Sequence, residues 1–179
     1  MPSIDDIAAE YLERAAALDP CYATQAGIAG HDHELPDLGP DGFEERAGLD
    51  RSTLAALDAA EAPEPREQAA RAAMRERLAV AGERYDAGDT TSELDTLSSW
   101  VQRVREVFDL MPTEGEEAAA TVARRMAAVP RAYRQLSATL LDAARDGRPA
   151  ATRQVEEVAQ QCAGWAKLGI PFIQDCPGG

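Results

Sequence analysis

The chain has 179 residues, 36 of them alanine and only nine aromatic, and its 32 acidic side chains against 18 basic ones leave a net charge of −14. That charge excludes nucleic acid and anionic membrane surfaces as partners, since both are held by basic groups, and no apolar run approaches the roughly 20 residues of a membrane span. The opening Met-Pro-Ser-Ile-Asp-Asp lacks the basic and apolar regions of a secretory signal, and Cys21, Cys162 and Cys176 form no CxxC pair, so a reducing, cytoplasmic setting is expected.

Helical signals run through the sequence. Ser3 with Asp6 resembles a capping box, and Ile4, Ile7, Ala8, Tyr11, Leu12, Ala15 and Leu18 recur at helical spacing. Asp19-Pro20 ends that helix and opens a short one, with Asp as N-cap and Pro at the first helical position, reaching Gly27 or Gly30. Residues 30–42 contain three Gly and two Pro without a helical period, and predict a loop long enough to suspect a function. Helices are then expected over Pro40 to about Glu61, with Phe43, Ala47, Leu54 and Leu57 inward, and over Glu64–Asp86, with Ala70, Ala73, Met74, Leu78, Ala81 and Tyr85 inward. Gly88–Thr91 reads as a break and the stretch to Ser98 as irregular. Trp100–Met111 forms the next helix, stopped by Pro112.

Thr113 with Glu116 suggests a second capping box, opening a helix that Pro130 separates from the next. That next helix carries Tyr133, Leu136, Leu140, Leu141 and Ala144 to a C′ glycine at Gly147. From Pro149 a last helix turns Ala151, Val155, Val158, Ala159, Cys162 and Trp165 inward, before an irregular tail over 169–179. No segment alternates with period two. The expected fold is therefore all-α, an array of about seven mostly antiparallel helices without a sheet. The length suits a single domain, 1–179, with the charge unevenly placed. Residues 1–97 hold 22 acids and 8 bases, whereas 98–179 hold ten of each, so the half over 98–168 is near neutral.

Catalytic motifs are missing. The sequence contains no His-Glu-x-x-His, no Glu-x-x-His pair, no Gly-rich phosphate loop and no Gly-x-Ser-x-Gly. Only His31-Asp32-His33-Glu34 concentrates metal-capable groups, and His31 and His33 are the candidate metal ligands. Two ligands two residues apart, with no third histidine in the chain, make a weak site. The competing reading is an exposed acidic turn in which Asp32 or Asp37 caps backbone amides. The doublets Asp5-Asp6, Glu44-Glu45, Glu116-Glu117 and Glu156-Glu157 point to different sides of their helices, and three lie near helix N-termini, which favours structural use. Cys162 reads as core. Cys21 beside an N-cap reads as packing, with a lowered thiol pKa the alternative. No catalytic and no cofactor-binding residue is assigned.

Three stretches resemble a bacterial family named domain of unknown function 885, especially its actinobacterial members. They are Leu18–Gly42, containing Ala-Thr, Gly-Ile, His-Asp and Leu-Pro-Asp before a Gly-Pro-Asp-Gly helix start, Arg105-Glu-Val-Phe-Asp-Leu-Met-Pro-Thr113, and Arg153-Gln-Val-Glu-Glu-Val-Ala-Gln-Gln-Cys162. Gly39 stands where the family usually has Ser. The resemblance implies a mostly helical protein of several hundred residues, similar to zinc metallopeptidases with a His-Glu motif. The zinc-binding segment of such relatives lies beyond the portion matched here, so zinc is implied for full-length relatives and no ligand or general base is carried onto this chain. The resemblance thus implies an amino-terminal helical scaffold or lid, not catalytic by itself. Its partner would be a C-terminal catalytic portion or, in a homodimer, a second copy. The alternative is a stand-alone helical module that binds a protein or small ligand.

Overall fold

The computed structural model describes residues 2–167; the expected tail over 169–179, with Cys176, lies outside them. Among the described residues there are eight α-helices, one 3₁₀ turn and no strand. The fold is all-α. The helices are α1 (Ile4–Leu18), α2 (Pro20–Gln25), α3 (Pro40–Ala59), α4 (Pro65–Asp86), α5 (Asp89–Ser92), α6 (Trp100–Glu106), α7 (Glu116–Arg145) and α8 (Thr152–Lys167). A 3₁₀ turn over Val107–Leu110 prolongs α6.

Helix α1 starts where its capping box places it. The amide of Asp6 donates to Ser3 Oγ at 3.1 Å, and the amide of Ser3 donates back to Asp6 Oδ2 at 2.9 Å. Hydrogen bonding to Ser3 holds the Asp6 carboxyl below the usual range. Ile4 and Ile7 then pack with Leu57 and Ala60 of the α3 end and Leu78 of α4 in one hydrophobic cluster. A second cluster joins Cys21 of α2, Leu35 and Leu38 of the loop, Phe43 of α3, Trp100, Val101 and Val104 of α6, Ala132 and Leu136 of α7, and Val158 of α8. Helix α3 serves both clusters, Phe43 near its start and Leu57 near its end.

Three features depart from the sequence expectation. First, Pro130 does not divide a helix: α7 runs through it for 30 residues. An internal proline costs about 3 kcal/mol. Here the turns before and after it lie on one apolar stripe, Met126 and Val129 packing on the same cluster that takes Ala132 and Leu136. Tyr133 Oη also donates to Val101 O at 3.1 Å, which pins the turn after the proline. Second, the Thr113 capping box does not form. Helix α7 begins at Glu116 with Gly115 as N-cap at φ 90°, which leaves Thr113 outside capping range. Third, a one-turn helix, α5, occupies part of the expected break, entered through Gly88 at φ 80°.

Inward faces are narrower than periodicity suggests. Leu12, Ala73, Leu141, Ala144, Ala151, Val155 and Ala159 are exposed, and Ala16 and Ala143 are buried instead. The expected C′ glycine is present. Gly147 at φ 83° closes α7, its amide donating to Ala144 O at 3.1 Å while that of Arg148 reaches Ala143 O at 2.9 Å, the paired bonds of a Schellman end.

Gly42 marks a close backbone approach. A Cβ built there would stand 2.3 Å from Asp37 O and 2.6 Å from Asp37 Cβ, because the loop crosses the first turn of α3. Gly42→Ala is expected to cost about 1–3 kcal/mol by overpacking, read as a lower urea midpoint. Gly82→Ala, at an open position on α4, serves as the control and should not lower it.

Candidate functional site

The 30–39 loop, the α1–α2 corner, the start of α3 and the middle of α7 meet around a cavity of about 500 Å³. The corner is held by one carboxylate. Asp19 closes α1 through its amide to Ala15 O at 2.8 Å, and its Oδ1 accepts the Tyr22 amide at 3.0 Å to open α2. Its Oδ2 takes Arg103 Nη2 of α6 at 2.7 Å. Arg103 in turn lies 3.9 Å above the Trp100 ring. Arg46 stacks on the same indole at 5.2 Å and on Phe43 at 4.6 Å, while Phe43 and Trp100 meet edge to face at 6.0 Å. Two guanidinium groups thus share one indole, in contacts that strengthen as water is excluded.

Arg125 anchors the loop from α7. It is 0 % exposed, and its Nε donates to Glu34 O at 2.8 Å while Nη2 donates to Pro20 O at 3.0 Å and His31 O at 3.1 Å. Burial pushes this guanidinium below its usual pKa, with Cys21, Asp32, Asp19 and Glu34 opposing the shift. Thr139, one turn past Leu136, donates to Leu38 O at 2.7 Å and adds a second tie from α7. Arg46 Nη1 reaches Asp37 O at 2.9 Å and Leu18 O at 3.4 Å. The loop is therefore held through its carbonyls by side chains of two helices. Leu35, Pro36 and Leu38 are buried beneath it.

The structure brings His31 and His33 to the same carboxylate. His31 Nδ1 lies 3.8 Å from Glu34 Oε2, and His33 Nε2 lies 3.5 Å from Glu34 Oε1. Asp32 points elsewhere, its Oδ1 accepting the Thr24 hydroxyl at 2.6 Å, and Asp37 Oδ1 caps the Gly39 amide at 2.7 Å. Among the described residues, no group of three or more His, Cys, Asp or Glu side chains is arranged to hold a metal ion. No helix of the described residues is long and apolar enough to cross a membrane.

Cys21 is fully buried, and burial, reinforced by Asp19, pushes its thiol up to about 12. The N-cap position does not activate it, because desolvation outweighs the dipole. Cys162 is only half-buried. It lines a second, apolar groove of about 260 Å³ with Val104, Phe108, Met126, Tyr133 and Trp165. Its thiol is also raised by burial.

Along its length the chain matches the family described as bacterial protein of unknown function (DUF885), over residues 20–172. It belongs to this family. No curated protein matches it. The DUF885 match includes the α1–α2 corner from Pro20, the loop and every arginine that shapes the cavity. Those arginines were not singled out by the sequence pattern. The available signal was Arg125 itself, set between Val122 and Val129 on the apolar stripe of α7, where a charge needs buried acceptors.

Arg125→Met removes the donors of three carbonyls and is expected to cost about 2–4 kcal/mol. Amide exchange should quicken over 20–34 at denaturant levels that leave α4 protected. In a Cys162→Ser, Cys176→Ser chain, Cys21 should be silent to a disulfide-exchange reagent at pH 8 and react once unfolded. Because its folded pKa lies above the unfolded value, the stability tied to this thiol is complete below the unfolded pKa. It is lost as pH rises from there toward 12.

Proposed function

We propose that this DUF885 chain is the amino-terminal helical scaffold or lid of a larger metal-dependent, peptidase-like hydrolase, and that it supplies no catalytic group or zinc ligand itself. The observation that carries the reading is the apolar groove between α6, α7 and α8. Among the described residues it is lined by Val104, Met126, Val129, Tyr133 and Trp165. Helix α8 has Val158 as its only buried residue, and Val155 on it is 47 % exposed. An apolar face of this kind marks an interaction site. In this reading the groove receives a C-terminal catalytic portion, or a second copy in a homodimer, and residues 1–179 behave as one domain in a cytoplasmic protein. The acidic half, with Asp32, Glu34, Asp37 and Asp41 on or beside the loop, would bias a neighbouring cleft against anionic substrates.

The stand-alone module remains the second reading, favoured by the polar cavity beside the loop. The reading frame downstream of the Gly179 codon separates the two. An in-frame continuation carrying a His-Glu segment is the expected result, and a stop codon at that point favours the module. In a continued chain, Val129→Asp should expose hydrophobic surface to a fluorescent dye and lower the melting temperature by several degrees.

A further inference from the structure

We propose that the cavity beside the loop is a binding site for a small aliphatic zwitterion of the amino-acid type. The cavity wall carries charges of both signs. Arg131 of α7 and Glu45 of α3 are exposed, line the same space, and make no ion pair or hydrogen bond among the described residues. Arg46 adds a second positive charge to the wall, yet it is satisfied only by carbonyls and rings, and its Nη2 is buried without an acceptor. Glu34 and Asp37, the other two acids there, are already engaged, the first by His33 and His31 and the second by the Gly39 amide.

A carboxylate and a guanidinium without a hydrogen-bonded or ion-pair partner among the described residues line one cavity, which leaves room for a ligand bearing both signs. A simple anion meets three carboxylates here, and a simple cation meets two arginines. A zwitterion answers both walls, its carboxylate toward Arg131 in the field of Arg46 and its ammonium toward Glu45. Leu35, Pro36 and Ala128 supply an apolar lining for an aliphatic side chain, and the volume lies within the range of small-molecule sites.

The test is equilibrium dialysis of the full chain with leucine, N-acetylleucine, leucinamide and glycine at fixed ionic strength. Leucine should bind saturably with one molecule per chain, and each of the other three at least fivefold more weakly. Glu45→Gln and Arg131→Gln alter exposed residues and should keep the parent melting temperature while each weakens leucine at least fivefold. Absence of saturable leucine uptake, equal uptake of the blocked analogues, or parent-like binding by both variants overturns the proposal. The two variants tie the uptake to this cavity, whereas the downstream reading frame tests the scaffold reading separately.

Discussion

A guanidinium withdrawn from water needs acceptors, and Arg125 finds them in three backbone carbonyls, those of Pro20, His31 and Glu34. Residues 30–39 form no ladder of their own. The His31 carbonyl takes the Glu34 amide within the loop, whereas the Glu34 carbonyl takes a donor from outside it. Arg125 supplies that donor from the middle of a long helix, engaging Pro20, His31 and Glu34 at once. Everything beside the cavity follows from it: the loop can lie close, bury Leu35 and Leu38, and cross the first turn of α3 at Gly42.

The neighbouring arginines extend the same logic by different chemistry. Arg103 meets a carboxylate that is itself serving two helix ends, and its flat face rests on Trp100. Arg46 has no carboxylate contact and relies on two carbonyls and two rings. A lysine would serve poorly at any of the three positions, since planar stacking and several donors on one side chain are what these sites use. The near absence of lysine from the chain, Lys167 alone, accords with that demand.

Much of the fold was legible because its signals are local. The Ser3 cap, the Asp19-Pro20 corner, the proline starts of α3 and α4, and Gly147 each act within a few residues, and the structure places them where the pattern does. Pro130 breaks the local rule because its cost is overruled by Met126, Val129, Ala132 and Leu136, which pack on one cluster from both sides of it. The cavity was illegible for a related reason. Arg46 and Arg125 are 79 positions apart, and only folding sets both against one loop. His31 and His33, two positions apart, are legible locally but share a single exposed glutamate.

Helix α3 belongs to both hydrophobic clusters, and its 20 residues span about 30 Å as one stiff rod. Phe43 sits under the arginine-stacked indole and Leu57 sits against α1. One continuous helix thus joins the loop that walls the cavity to the amino-terminal helices.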